Sequence, residues 1–262
     1  MTFDRSPRTS FNQVASLYDE ARPSYPEALI EDILSLSGLS PEGRILEIGC
    51  GTGKATLPFA RRGYAMLCLE LGDNLAAVAR ENCRLYPKVE IQTTAFEAWE
   101  LQERAFNLVI SGQAFHWIPP EIGYPKVHRA LKVTGAMALF WNQYPEPKTA
   151  FFQALAEVYQ DKAPQLVNDR AKLSCEDLTR QREAEIEATG LFSPVLVRQY
   201  PWEQYYTADQ YLKLLNTYSN HLSLAEDTRQ SLFETIRDLI EQFGGVVTKS
   251  YIASLYFAQV IA

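Results

Sequence analysis

Cysteine and histidine are both scarce, with four and three copies in 262 residues. Cys50, Cys68, Cys83 and Cys175 form no C-x-x-C pair and have no metal-like spacing with His116, His128 and His221. A zinc centre or a disulfide framework is therefore excluded as the organising device, and no metal ligands are expected. No apolar run reaches the ~18 residues of a membrane span, so no membrane partner is expected. The leading Met-Thr-Phe-Asp-Arg has no apolar core of the secretory type, and a cytoplasmic location follows as the expectation. Dense Lys/Arg runs are missing too, and the formal net charge of −7 counts against a nucleic-acid partner. Asp and Glu are scattered, as on an ordinary solvated surface. Neither an internal repeat nor a low-complexity linker divides the chain. What remains is 47% apolar and only 22% charged, enough for a sizeable core and too apolar for wholesale disorder.

The most informative stretch present is Arg44 to Gly53, Arg-Ile-Leu-Glu-Ile-Gly-Cys-Gly-Thr-Gly. Ile45, Leu46 and Ile48 read as a short buried strand, which breaks into Gly49, Gly51 and Gly53. Glycine suits positions that need positive φ or close approach of a ligand. A helical pattern follows, so the loop is expected to open a helix whose amides face a ligand. The dinucleotide fingerprint wants glycines at positions one, three and six. Counting from Gly49 the sixth residue is Lys54, and from Gly51 it is Thr56, so both frames fail. No Gly-Lys-Ser/Thr closes a phosphate loop either. A second strand, Ala65 to Leu69, ends on Glu70, where an α/β nucleotide fold puts a carboxylate for ribose hydroxyls.

With Glu47-x-Gly49-x-Gly51-x-Gly53 and Glu70 in place, the chain resembles the class I S-adenosylmethionine-dependent methyltransferases over roughly Asn12 to Asn142. Ser111-Gly112-Gln113-Ala114-Phe115-His116-Trp117 looks like the segment after the fourth strand in a small-molecule subgroup. Leu131-Lys132-Val133-Thr134-Gly135 stands where members carry a Leu-Lys-Pro-Gly-Gly turn. Tyr18-Asp19 with Arg22-Pro23-Ser24-Tyr25-Pro26 is similar to the leading segment of trans-aconitate methyltransferase-like enzymes.

The resemblance implies S-adenosyl-L-methionine as cofactor and assigns positions to it. Glu47, Gly49, Cys50, Gly51 and Gly53 would form the cofactor loop, with Glu47 near the ammonium; Glu70, with Leu71 beside it, would hold the ribose. Members often place an Asp after the third strand for the adenine amine. Here Thr93-Thr94-Ala95-Phe96-Glu97 has none, and Phe96 is expected to wall the ring. Gln113 would line the amino-acid end. Tyr18 and Arg22 would cover the cofactor, and Arg22 could pair a carboxylate of cofactor or substrate.

Methyl transfer from a sulfonium is a one-step displacement, so alignment and exclusion of water matter more than a catalytic triad. A base helps an alcohol or phenol, whereas a carboxylate needs none. His116 is the one histidine at a motif position, as general base or substrate hydrogen-bonder, or else packed beside Trp117; His128 and His221 read as surface residues. Among the aromatics, Trp202, Tyr205, Tyr206, Tyr211 and Tyr218 read as ordinary core and rim. Trp117, Trp141 and Tyr144 are better placed to wall a substrate pocket.

Strand–helix alternation predicts a parallel sheet with helices on both faces, and the resemblance implies its Rossmann-like, doubly wound seven-stranded form, mostly parallel with an antiparallel C-terminal strand. Strands are expected at Arg44–Ile48, Ala65–Glu70, Val89–Thr93, Phe106–Ser111 and Ala136–Trp141. Helices are expected at Phe11–Asp19, Pro26–Ser37, Ala55–Arg61, Asn74–Leu85 and Gly123–Leu131. A cofactor core over about 40–142, a helical insertion over about 149–191 and C-terminal elements over 195–262 would form one domain. The insertion, with the leading segment, is expected to select the substrate. The hairpin is expected to pair Val195–Trp202 with Ser250–Val260, and helices are expected over Thr207–Asn216 and Leu224–Phe243. The expected activity is methyl transfer to a small organic molecule, such as a carboxylic acid, by a monomer or homodimer. A non-catalytic cofactor-binding protein and a protein methyltransferase are the alternatives. An oxidoreductase fails on the glycine frames. A nucleic-acid methyltransferase would show a basic face or an Asn/Asp-Pro-Pro-Tyr run where Gly-Gln-Ala-Phe-His-Trp stands.

Overall fold

A computed structural model describes residues 15–167 and 173–261. Seven strands form one sheet: β1 Arg44–Ile48, β2 Ala65–Glu70, β3 Val89–Thr93, β4 Phe106–Gly112, β5 Leu131–Gln143, β6 Leu196–Thr207 and β7 Val246–Gln259. Their order is β3-β2-β1-β4-β5-β7-β6. The first five are mutually parallel, and β7 runs antiparallel to both β5 and β6. This is the doubly wound sheet with one reversed C-terminal strand that the family resemblance implies.

Central strands of such a sheet are covered on both faces, so they read as continuous apolar runs rather than alternating ones. Alternate residues of each strand then go to opposite layers. Leu46, Ile48, Leu67, Leu69, Val109, Met137 and Leu139 pack on one face against Tyr124 and Val127 of α5 (Pro120–Ala130) and Ile186 of α7 (Cys175–Glu187). Ile45, Met66, Cys68, Leu108, Ile110 and Phe140 pack on the other. That second layer holds Leu29, Ile30 and Ile33 of α2 (Glu27–Ser37), Phe59 of α3 (Thr56–Arg61) and Ala79 of α4 (Asp73–Asn82). Each such aliphatic side chain, fully buried, stabilises the fold by about 1.5–3 kcal/mol.

A third apolar cluster lies at the far end of the β6–β7 hairpin. There α1 (Ala15–Ala21), α6 (Ala150–Lys162), α8 (Ala208–Leu215) and α10 (Glu226–Gln242) gather around Tyr206, Val247 and Tyr251. Between α8 and α10 lies the four-residue α9, Ser219–Leu222. A reciprocal capping box, Thr207 with Gln210, starts α8.

Several boundaries differ from expectation. The Leu-Lys-Val-Thr-Gly turn is a bulge inside β5: Phe106 pairs with Leu131, and Leu108 already pairs with Ala136. The hairpin reaches Thr207↔Val246, beyond the expected Trp202, because Tyr206 and Val247 have the helical cluster to pack on. Helix α4 ends at Asn82, three residues early, where Cys83 caps it. Helix α1 runs Ala15–Ala21, and the expected start at Phe11 lies outside the described residues. His221, expected at the surface, is buried: its Nε2 lies 2.7 Å from the Tyr159 hydroxyl, and burial lowers its pKa to about 4.

At Gly112, the end of β4, a Cβ would lie 2.6 Å from the Tyr25 hydroxyl and 2.7 Å from the Phe140 ring. These two rings meet edge to face at 4.7 Å. Gly112→Ala should therefore destabilise the protein by about 1–3 kcal/mol through overpacking, read as a lowered Tm.

Candidate active site

The glycine loop gets its shape from bonds to the next strand. The amides of Gly49 and Cys50 both donate to the Leu69 carbonyl, at 2.8 and 3.1 Å. The Gly51 amide donates to Glu70 Oε2 and the Gly72 amide to Glu70 Oε1, each at 2.8 Å. Gly49 is required: its φ is +69°, and a Cβ there would lie 2.4 Å from the Ala114 Cβ. The Gly49, Cys50 and Gly51 amides are thus spent on β2, and the helix expected to open here with its amides toward a ligand, α3, begins only at Thr56 with six residues. The loop works as a close-packed floor rather than a phosphate cradle, consistent with the failed nucleotide fingerprints.

Above that floor is a cavity of about 330 Å³ at the C-terminal ends of β1, β2 and β4, the place where open α/β sheets bind ligands. Gly49, Gly51, Glu70, Leu71 and Phe96 line it together with Gln113, His116 and Trp117 past β4 and with Tyr18, Arg22 and Tyr144. An adjoining smaller cavity of about 50 Å³ is lined by Glu47, Cys50 and Tyr25. Gly53 and Trp141 line neither. Gly53, at φ +90°, closes a turn by donating to the Cys50 carbonyl at 2.9 Å. Trp141 is only 5% exposed and stands behind the site, edge to face with Tyr256. The expectation that Trp141 walls the substrate is therefore corrected: its place in β5 turns it into the core.

The cavity's roof is α1 and the residues after it, held at three points. Asp19 accepts from Asn82 Nδ2 at 3.2 Å, the same amide donates to the Thr52 carbonyl, and Lys54 Nζ lies 3.9 Å from Asp19. Asn142 Nδ2 donates to the Ser24 carbonyl, while its Oδ1 accepts from Trp202 Nε1. Arg22 donates to the Thr217 carbonyl at 3.0 Å, and its guanidinium stacks over Tyr18 and Tyr218 at 5.1 and 4.4 Å. Tyr218 lines the cavity and was not singled out from sequence, because it sits in a turn without a motif. Of the two segments expected to select the substrate, the leading one supplies Tyr18 and Arg22 to the lining, and none of the described residues of 149–191 lines the cavity.

The site's acids and phenols differ in their states. Glu47 is buried and accepts from Thr56 Oγ1 at 2.6 Å and Cys68 Sγ at 3.6 Å. Burial nevertheless raises its pKa to about 7. Burial also raises the Tyr18 and Tyr218 hydroxyls, and Tyr144 to about 12. Tyr144 shows 43% of its surface, yet its hydroxyl end is enclosed against Tyr218. All three phenols are proton donors at neutral pH. Among the described residues no group of three or more His, Cys, Asp or Glu is placed to hold a metal ion. Nor, among them, is any helix long and apolar enough to cross a membrane.

Comparison with known proteins decides the family. Residues 45–135 match a model described as a methyltransferase domain. An uncharacterized methyltransferase of Mycobacterium tuberculosis is 30% identical over 186 residues, 71% of this chain and 72% of that protein. The chain belongs to the class I S-adenosylmethionine-dependent methyltransferases. The Saccharomyces cerevisiae protein CRG1, described as a probable S-adenosylmethionine-dependent methyltransferase, is 25% identical over 84% of this chain and 85% of its own length. The fold matches a structure from Anaeromyxobacter dehalogenans, provisionally assigned as a type II methyltransferase. That match has a TM-score of 0.65 at 17% identity and covers 92% of this chain and 98% of the other.

S-adenosylmethionine is the cofactor, and the donor set suits it. A carboxylate has about four acceptor positions. Glu70 accepts from the Gly51 and Gly72 amides and lines the cavity, where ribose hydroxyls can donate to it. Phe96 offers an apolar wall and Gln113 an amide, its φ of +58° turning it off the end of β4.

Glu70→Ala should cost about 1–3 kcal/mol of cofactor affinity, the usual loss for orphaned buried donors, measurable by calorimetry with the demethylated cofactor. Glu47 predicts a pH effect on stability. Its folded pKa lies above its ordinary 4.5, so the native state keeps a proton that the unfolded chain has lost. That contribution is complete below about pH 4.5 and is lost as pH rises through about 7. Glu47→Gln should flatten the fall in Tm across that window.

Proposed function

We propose that this methyltransferase esterifies the carboxylate of a small organic acid, the whole chain acting as one catalytic unit. The observation that carries the reading is the donor character of four of the residues that line the cavity. Arg22 is the one Lys or Arg lining the cavity among the described residues, and Tyr18, Tyr144 and Tyr218 add hydroxyls held in their protonated state. A wall of donors around a guanidinium recognises an anion with acceptor oxygens. It offers no phenolate to take a proton, which suits a nucleophile already ionised at neutral pH.

Held over the glycine loop and Glu70, S-adenosylmethionine would supply a methyl group on a sulfonium, and an acceptor already in its carboxylate form has no proton to lose. The chain's own residues orient and enclose. Arg22 and the Tyr144 and Tyr218 hydroxyls hold the acid, and Tyr18 lines the cavity beside Arg22. Glu47, lining the adjoining small cavity, would face the cofactor's ammonium and be drawn into its charged form by it.

The test is a panel of mono-, di- and tricarboxylates, each with its matching amide and alcohol, plus a mixed peptide pool. Methyl ester formation from acids alone is the expected result. Methylation of amines or peptide side chains with no ester would overturn the assignment. Arg22→Lys should raise KM for the accepted acid about tenfold or more, as loss of charge-assisted hydrogen bonds does. A change confined to cofactor affinity would move Arg22 to the cofactor's carboxylate instead.

A further inference from the structure

His116 stands in a short 3₁₀ turn, Phe115–Trp117, just past β4, and lines the cavity. Its Nδ1 lies 3.1 Å from Nε1 of Trp141, which donates to it. An indole nitrogen is a donor only and accepts nothing. Nδ1 must therefore be the bare, accepting nitrogen of the imidazole. In a neutral ring the proton then sits on Nε2. With the other tautomer, or with a doubly protonated ring, two N–H groups would confront each other at that distance.

Trp141 cannot easily move away. It is buried in β5, paired in register with Ser254 of β7, and its ring meets Tyr256 edge to face at 5.5 Å. The guanidinium of Arg182, on α7, lies 4.0 Å from the centre of the indole. The buried Nη1 of Arg182 has no hydrogen-bond partner among the described residues. Its cation is satisfied by the π face instead, which draws electron density from the indole and strengthens the N–H as a donor. The helical insertion thus reaches the site from behind, through Trp141, rather than by lining it.

We infer that Trp141 is a positioning residue that holds His116 as the neutral Nε2–H tautomer, so that His116 acts on the bound molecule as a hydrogen-bond donor and not as a general base. Resting on the carboxylate reading above, this makes His116 a further donor for the acid's oxygens and leaves the reaction without a histidine base. A substrate hydroxyl, which must lose its proton, has no help from this ring.

The experiment has a readout independent of turnover. In the enzyme loaded with the demethylated cofactor and labelled with ¹⁵N-histidine, long-range proton–nitrogen correlation distinguishes bare from protonated ring nitrogens. Wild type should show His116 with bare Nδ1 and protonated Nε2. Trp141→Phe keeps a ring under Arg182 but removes the N–H, and should give a mixture of tautomers with cofactor affinity retained. Arg182→Met, a milder change should Trp141→Phe fold poorly, should shift the population in the same direction. A protonated Nδ1 in wild type, or an unchanged tautomer in both variants, overturns the inference.

Turnover with the best acid of the panel supplies the second arm. His116→Gln retains a donor near the Nε2 position but no basicity. Activity within about tenfold of wild type is expected, with His116→Ala mainly raising KM. Loss of kcat by about 10²–10⁴-fold in both, the span of general base catalysis, overturns it. The two readings fail separately. The expected tautomer with only amines methylated sinks the carboxylate assignment alone, whereas ester formation with a protonated Nδ1 sinks the donor role alone.

Discussion

The site depends on the tie between the glycine loop and the end of β2. Four backbone amides converge there: Gly49 and Cys50 on the Leu69 carbonyl, Gly51 and Gly72 on the two oxygens of Glu70. Buried amides need partners, and each left unmade costs about 1–3 kcal/mol. The loop therefore has one satisfied arrangement, and in it Glu70 is both the splint for the floor and the acceptor at its edge. The same carboxylate cannot be moved without releasing the loop, which couples cofactor recognition to local stability.

The roof is built on a different principle. Segment 15–26 is held by packing, with Ala21 in the helical cluster and Tyr25 against Phe140, and by polar contacts to three separate elements: Asn82 on α4, Asn142 at the end of β5, and the Thr217 carbonyl after α8. Polar contacts of this kind contribute modestly, about 0.5–1.5 kcal/mol each. The roof therefore joins an apolar hold to a polar one, whereas the floor is held by backbone bonds to β2.

Protonation states divide along the same line. On the roof side, burial keeps Tyr18, Tyr144 and Tyr218 protonated, and Trp141 sets His116 as a donor. On the floor side, acceptors face the cavity or its annex: Glu70 among amides, and Glu47 with a pKa near neutrality. A cofactor rich in hydroxyl and ammonium donors suits the second set, and an anionic acceptor molecule suits the first.

The order of apolar strands, the Gly49-x-Gly51-x-Gly53 loop and Glu70 determined the parallel core of the sheet and the floor of the site, because each is a local pattern of period or spacing, whereas the cofactor followed from the family resemblance those residues carry. Leu71, Phe96, Gln113, His116 and Trp117 were legible for the same reason, as residues just past predicted strands. Tyr218 was not, since it reaches the cavity from a turn some 200 residues beyond Tyr18 in the chain and carries no pattern of its own. Trp141 was legible as a residue near the site but not as the partner of His116, because period-two alternation says which face a side chain takes only after the register is known. Which helices cover the cavity, and which side chains become donors, is fixed by long-range packing and burial, and these exist only once the layers have closed.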